Sequence, residues 1–247
     1  MTRLLLLAAL FVPAAASAQS GTVHYRVTTK IEIQLPPEME HMRDQIPSEQ
    51  TQEKELIFSA AAALTRNAPE EEEEEVALPE SDGDRVFFRF GGRESDEQTF
   101  VDLENGTSVE TRDFFGRTFR IVGEPERLAW RLTGEQGVFL GHPVQQAFAE
   151  RDSTTLQAWF TTSIPVSAGP EAYGGLPGLI LVLTDGRRTY EATDLALGEI
   201  PADALVPPTD GREVTRERFD EIVEEKMEEM EASRPRGRRG GFRIITN

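Results

Sequence analysis

The sequence predicts a mainly antiparallel β protein, folded as a curved sheet or half-barrel, with an amphipathic helix near its C-terminus. Two observations favour this class. Between residues 85 and 197, short apolar runs alternate with Gly, Pro and Asn-Gly turn signals, and no helical pattern separates them. Strands joined directly by hairpins form an antiparallel sheet. A β-sandwich is the alternative architecture.

The first predicted strand, residues 22–33, is the clearest element. Apolar and polar side chains alternate along it, from Val23 and Tyr25 on one face to His24 and Arg26 on the other. This alternation is typical of a strand that is buried on one side. At about 3.3 Å per residue the strand would extend roughly 40 Å, which is longer than most strands. Its length favours a curved sheet over a compact sandwich.

The later strands follow in order along the chain. Residues 54–65 are predicted to form the second strand, although four alanines leave that assignment ambiguous. Asn105-Gly106 is among the strongest sequence signals for a tight hairpin, here between strands 99–103 and 107–111. The other predicted strands are residues 86–90, 118–122, 128–133, 144–149, 155–161, 179–183 and 187–193.

Residues 1–18 have the three parts of a secretory signal peptide. Arg3 gives a positive start, residues 4–12 form an apolar core that is too short to anchor in a bilayer, and a small-residue Ala-Ser-Ala site follows. We therefore expect cleavage before Gln19. The mature protein should be periplasmic or secreted, without a transmembrane segment.

The mature chain divides into four further segments by composition. Residues 19–200 form a β-rich domain, which contains a low-complexity acidic loop at residues 67–84. Residues 201–214 are a proline-rich linker, residues 215–232 a charged amphipathic helix, and residues 233–247 a basic tail of glycine and arginine. The acidic loop and the tail are expected to be disordered.

The chain is strongly acidic and contains no cysteine. Lys and Arg total 26 against 44 Asp and Glu, which gives a formal net charge of −18. This charge repels nucleic acid and anionic membrane surfaces, so neither is an expected partner. Without cysteine the protein has neither disulfides nor thiolate ligands, and its stability must come from a hydrophobic core.

A glycine-proline corner precedes the predicted strand at residues 179–183. The stretch Gly174-Gly175-Leu176-Pro177-Gly178 leads directly into an apolar run. Proline restricts its own backbone and that of the residue before it, whereas glycine allows conformations or close approaches that a side chain forbids. The stretch therefore predicts a rigid corner that leads into a central hairpin.

This corner resembles the motif of the GLPGLI family, a group of exported bacterial proteins whose function is not established. The wider similarity extends from about residue 99 to residue 194 and includes the run Arg112-Asp113-Phe114-Phe115-Gly116. The resemblance implies an exported β-rich protein and no particular reaction. The positions that carry the family motif are Gly175, Leu176, Pro177, Gly178, Leu179 and Ile180.

The sequence contains no recognisable catalytic, metal or cofactor motif. His24, His41 and His142 lack the spacing of metal ligands. No nucleophile elbow, zinc-protease helix, phosphate loop or dinucleotide fingerprint occurs. We therefore expect no cofactor, no metal and no catalytic residue.

Functions from different classes remain open. The favoured one is a non-enzymatic envelope protein that binds a partner protein or a small apolar ligand on its sheet. Its candidate ligand-binding residues are Trp159, Phe160, Tyr173 and Leu176, next to the corner. These aromatic residues would equally suit a hydrophobic core.

The alternative is a carboxylate-based or metal-dependent envelope hydrolase. It needs acidic side chains to converge, and Asp113, Glu135 and Asp185 are the candidates. A third possibility is an interaction module that works through the acidic helix and the basic tail. It predicts that deletion of residues 215–247 leaves the fold intact and abolishes association.

Overall fold

The computed structural model describes residues 19–31, 33–34, 48–69, 97–201, 203–232 and 243–244. These residues contain fourteen strands and one helix. In chain order they are β1 Gly21–Lys30, β2 Ile33–Gln34, β3 Glu49–Phe58, β4 Ala62–Asn67, β5 Gln98–Asp102, β6 Thr107–Phe114, β7 Arg117–Gly123, β8 Arg131–Phe139, β9 His142–Arg151, β10 Thr154–Thr161, β11 Leu179–Asp185, β12 Arg188–Leu197, β13 Arg212–Val214, α1 Arg216–Ala232 and β14 Arg243–Ile244.

Twelve strands form a single sheet in the order β13-β7-β6-β5-β4-β3-β1-β12-β11-β10-β9-β8, and β14 pairs separately with β2. Within the large sheet, β13 runs parallel to β7 and the other pairs are antiparallel. Most neighbouring strands in the sheet are also consecutive along the chain. The strand β1 lies between β3 and β12 and so joins the β3–β7 part of the sheet to the β8–β12 part. The predicted antiparallel β fold with a C-terminal helix is confirmed.

Some predicted elements differ from the observed ones. Residues 54–65 are not one strand, because a turn at residues 59–61 separates β3 from β4. The Ser59 hydroxyl accepts hydrogen bonds from the N–H groups of Ala61 and Ala62, at 3.2 and 3.1 Å. A serine side chain that binds nearby backbone in this way favours a turn over a continued strand.

Several predictions fall outside the described residues. They include the signal peptide, the strand at residues 86–90, nearly all of the acidic loop and most of the basic tail. The predicted linker at residues 201–214 ends in β13. The division of the chain into segments therefore stays a prediction.

One face of the large sheet carries the core, and the register shows which residues share it. The buried side chains on this face are apolar near β12 and polar near β6, and on β7 they are apolar again. Across β12, β1, β3, β4, β5, β6 and β7 one row reads Leu195, Val23, Leu56, Thr65, Thr99, Glu110 and Ile121.

Residues 162–178, which connect β10 to β11, form a segment that covers this face; we call it the cover segment. Its residues Ile164, Val166 and Leu176 are buried in the same cluster as the strand residues. Trp130, just before β8, donates a hydrogen bond to its Gly174 carbonyl at 2.8 Å. At its other side the cover segment contacts β6, as described below. Because eight strands separate β6 from β8 in the sheet order, the sheet must curve round the segment.

The helix α1 covers the β6–β7 end of the same face. Its residue Phe219 packs with Phe119 and Ile121 of β7 and with Val214 of β13. The hydroxyl of Thr215 accepts a hydrogen bond from the N–H of Arg218 at 3.2 Å, as an N-cap residue does. Among the residues described, no helix combines the length and the apolar character needed to cross a membrane.

Candidate functional site under the glycine-proline corner

Two glycines give the corner its shape, each for a different reason. Gly175 has a φ of +85°, which places it in the left-handed region that side chains disfavour. At Gly178 an added Cβ would lie 2.1 Å from the carbonyl oxygen of Thr161, so that the backbone of β10 leaves no room for a side chain. The end of the cover segment therefore packs closely against the end of β10.

Glu171 is the charged centre of the cover segment. Although it is not glycine, it has a φ of 54°, and only 9% of its surface is exposed. Its Oε1 lies 2.7 Å from Nζ of Lys54, and its Oε2 accepts a hydrogen bond of 2.9 Å from the Thr99 hydroxyl. Arg112 Nη2 lies 3.4 Å from the same Oε2. The carboxylate thus binds three side chains from β3, β5 and β6.

The surroundings keep Glu171 ionised. Burial alone would raise the pKa of its carboxyl group, because a buried charge loses its hydration. The positive charges of Lys54 and Arg112 more than offset burial and hold the pKa at about 2. At neutral pH this group is therefore a poor proton donor and a weak proton acceptor.

The ion pairs continue from Glu171 to the helix. Arg112 also contacts Glu97 at 3.0 Å and Glu110 at 3.4 Å. Glu110 in turn lies 2.5 Å from Arg216, the first residue of α1. A chain of alternating charges therefore links the cover segment to the helix across β6, and it ties together the two elements that cover the sheet.

A second polar group surrounds Tyr173. Its hydroxyl donates a hydrogen bond to the carboxylate of Asp185, and Arg151 lies 3.0 Å from that hydroxyl and 2.5 Å from the same carboxylate. The ring of Tyr173 meets that of Tyr190 edge-on, with 6.2 Å between their centroids. Burial, and then the bond to Asp185, raises the pKa of Tyr173, so its hydroxyl stays protonated at neutral pH.

The structure places the four candidate ligand-binding residues in two different settings. Phe160 and Leu176 are buried in the core, at 0% and 2% exposure. Trp159 and Tyr173 are partly buried and pack against the same cluster. Of the four, Tyr173 also belongs to the polar group with Arg151. Ligand binding by these residues stays a prediction.

The three carboxylates suggested for a hydrolase lie on three different strands, β6, β8 and β11. Asp113 accepts a hydrogen bond from Thr118 at 2.6 Å, and Asp185 binds the Tyr173 group. Glu135 is exposed in a bulged part of β8, which lies at the opposite end of the sheet order from β6. Within the described ranges, no three or more His, Asp or Glu side chains are grouped so as to hold a metal ion.

The glycine-proline corner lies in a part of the chain that is similar to a known protein family. A family model described as a protein of unknown function, Porph_ging, matches residues 103–182. This range runs from the end of β5 to the middle of β11 and includes the whole cover segment. None of the curated proteins matches the chain.

Two solved structures of PNGF-II, in space groups C2 and P21, have a similar fold. Their TM-scores are 0.53 and 0.54, and their sequence identities are 18% and 16%. Each comparison covers 83% of this chain and 33% of the PNGF-II chain. The chain therefore spans about a third of the length of PNGF-II. At this identity the likeness concerns the fold alone.

Proposed function

We propose that this chain is an exported cell-envelope protein that acts by binding a partner protein and not by catalysing a reaction. The observation that carries the proposal is the covered face of the sheet. The cover segment and α1 lie on this face, and the ion pairs around Glu171 and Arg112 fasten them to it. A partner would therefore bind the outer surface of the assembled domain.

The paired charges favour binding over hydrolysis. A general acid or base works best when its pKa lies near the working pH. The pKa of Glu171 is about 2, and Asp185 is held between Arg151 and Tyr173. Buried polar networks in which the members satisfy one another make a structure rigid, so these contacts support a structural role for both groups.

A small apolar ligand is a less favourable occupant than a protein. Trp159 lies on the face of the sheet opposite the cover segment, in one row with Val182, Glu191 and Arg26, so it cannot share a site with the other three candidates. Phe160, Tyr173 and Leu176 could line an apolar site only if the cover segment moved away from the sheet. Such a movement would expose the core side chains Phe160 and Leu176 and would separate Glu171 from Lys54. Both changes cost free energy, because apolar surface enters water and a buried charge loses its partner.

The proposal includes assignment to the GLPGLI family and export through residues 1–18. The motif positions 175–180 lie within the range 103–182 that the family model matches, which supports the assignment. Export is supported by the three-part pattern of the N-terminal sequence and cleavage site before Gln19.

Native mass spectrometry of the full chain, expressed with its N-terminal segment in a bacterium that has a periplasm, tests the proposal. We expect a periplasmic chain that begins at Gln19, together with a protein bound in a fixed ratio. A variant with Leu6→Arg in the apolar core of the signal should stay unprocessed and serves as the export control. An unprocessed wild-type chain would contradict export, and a bound metal or small molecule without a partner protein would favour the hydrolase or ligand-binding alternatives.

A further inference from the structure

A groove open to solvent lies between the β6–β7 hairpin and α1. Its volume is about 290 Å³. The hairpin contributes Phe114, Phe115 and Phe119 to its walls, and the helix contributes Ile222. Charged side chains from both elements complete the lining, namely Arg117, Glu225, Lys226 and Glu229. A groove of this volume, with an apolar wall and a charged rim, fits one large apolar side chain and its charged neighbours.

Phe115 is the most unusual residue of this groove. It has a φ of 50° at the first position of a two-residue turn, and Gly116 follows with a φ of 71°. Such turns favour Asn, Asp or Gly, since both residues need positive φ. Phe115 is nevertheless an aromatic residue that is 56% exposed. Leu140-Gly141 forms a similar turn, with φ values of 47° and 76°, and Leu140 is 42% exposed, so what distinguishes Phe115 is that its ring lines the groove.

Neighbouring side chains hold the ring of Phe115 in place. It meets the ring of Phe114 edge-on, with 4.7 Å between centroids, and Nζ of Lys226 lies 5.7 Å from its centre. Phe114 in turn contacts Phe219 of α1 edge-on at 6.1 Å. The exposed ring is therefore a fixed wall of the groove, and a partner would gain contact with it at little entropic cost.

The helix beside the groove carries a large excess of negative charge. The sequence of α1 contains eight acidic residues and three basic ones, a net charge of −5. The three basic residues already form ion pairs, Arg216 with Glu110, Arg218 with Glu221 and Lys226 with Glu229. The acidic residues outnumber these pairs, so the helix attracts positive charge.

We propose that this groove docks a basic amphipathic segment of a partner protein. This inference rests on the proposed function and names the chemistry of the partner. An aromatic or branched apolar side chain of the segment enters the groove against Phe115 and Ile222, and lysine or arginine side chains pair with the acidic residues of α1. Charge complementarity selects this occupant, because a second copy of a chain with a net charge of −18 would be repelled.

A labelled synthetic peptide tests the docking site. The probe is a fluorescein-labelled 16-residue amphipathic peptide of lysine and leucine, and fluorescence anisotropy measures its binding to the mature full chain. We expect binding that weakens as salt increases. A peptide with the same lysines and with serine for leucine should bind at least tenfold more weakly, and one with glutamate for lysine should not bind.

Phe115→Asn is the decisive variant, since asparagine suits the turn and the fold should be retained. We expect it to weaken binding of the lysine-leucine peptide at least tenfold. Val138→Thr is the matched control, because Val138 is 76% exposed on β8, at the far end of the sheet order. It should change binding less than twofold. Unchanged binding by Phe115→Asn, or equal binding of the serine-containing peptide, would overturn the proposed site.

The basic tail of the chain is a competing occupant. It contains Arg234, Arg236, Arg238, Arg239 and Arg243. If the wild-type chain does not bind the peptide and the full chain with these five arginines changed to glutamine does, the tail occupies the groove and the assignment to a partner is wrong.

The periplasmic partner of the mass spectrometry experiment separates this inference from the proposed function. Loss of that partner in Phe115→Asn, but not in Val138→Thr, supports both. Retention in both variants would leave the binding function standing and refute this site, whereas a wild-type chain without a partner would count against the binding function itself.

Discussion

At the scale of single residues, Glu171 holds the cover segment on the sheet through charge. Both Glu171 and Lys54 are almost entirely buried. Removal of one member of a buried ion pair leaves the other charge unpaired, which typically costs about 3–5 kcal/mol. We therefore expect Glu171→Gln to lower the free energy of unfolding by about 3 kcal/mol, as measured by urea denaturation.

An exposed ion pair provides the control for this prediction. Glu53 pairs with Arg26 at 3.0 Å, with both side chains about half exposed. Exposed pairs contribute little, so Glu53→Gln should change the free energy of unfolding by less than about 1 kcal/mol. Equal effects of the two substitutions would contradict a special role for Glu171.

The same carboxylate predicts a dependence of stability on pH. The pKa of Glu171 is lowered in the folded chain from 4.5 to about 2. A lowered pKa stabilises the folded state above the pKa of the unfolded chain, and this contribution is lost as the pH falls towards 2. We expect the free energy of unfolding to fall between about pH 5 and pH 2, and to fall less steeply in Glu171→Gln. Parallel pH profiles for the two proteins would show that other carboxylates cause the acid sensitivity.

The sequence could predict only part of this charged site. Arg112 lies in a run that resembles a family motif, and this signal could be found before the structure. Lys54, Thr99 and Glu171 are far apart along the chain and occur in no motif. Alternation shows which residues of one strand share a face, but it does not show which strands lie under the same loop. The ion pairs depend on that long-range arrangement.

At the scale of elements, the glycine-proline corner depends on close approach of two backbones. An added Cβ at Gly178 would clash with the carbonyl of Thr161 at 2.1 Å. Since neither backbone can move without disturbing the start of β11, we expect Gly178→Ala to destabilise the protein by about 1–3 kcal/mol or more. Differential scanning calorimetry should show a lower Tm.

Gly123 offers a matched control for the corner. It ends β7, its φ is not in the left-handed region, and an added Cβ would meet nothing within 4 Å. Gly123→Ala should leave the Tm unchanged or raise it slightly, because alanine restricts the unfolded chain. A similar Tm for Gly178→Ala would mean that the corner tolerates a side chain and can shift.

Elements with strong local signals were predictable from the sequence, whereas their exact extent was not. Asn105-Gly106 marks the hairpin between β5 and β6, and Thr215 marks the start of α1. The break between β3 and β4 was missed, because the alanines after Ser59 carry no turn signal of their own. The predicted strand at residues 128–133 was misplaced, because β8 covers residues 131–139 and residues 128–130 lie before it.

At the scale of the whole molecule, two separate elements cover one curved sheet. The sequence predicted the sheet and the helix. Curvature was predicted from a first strand at residues 22–33, but β1 ends at Lys30 and Ile33–Gln34 form the separate strand β2, so the length of that strand was overestimated. It did not reveal that the connection between β10 and β11 fills the covered face, since loops usually lie at the surface. Short backbone contacts and buried charges hold this connection in place, and both depend on residues distant in sequence.

Because the cover segment and α1 cover different parts of the sheet, the effect of removing residues 215–247 can be predicted. The large core cluster lies beneath the cover segment and contains no residue of α1, whereas Phe119 and Ile121 lose their contact with Phe219. The β-sheet signal in circular dichroism should therefore persist, with a Tm lower by on the order of 10 °C. The deleted chain should also lose any bound partner.

Phe219→Ser in the full chain is the control, because it weakens the cover but keeps the acidic helix and the tail. If the deletion abolishes cooperative unfolding, α1 is required for the fold of the sheet, and loss of the partner would then say nothing about where that partner binds.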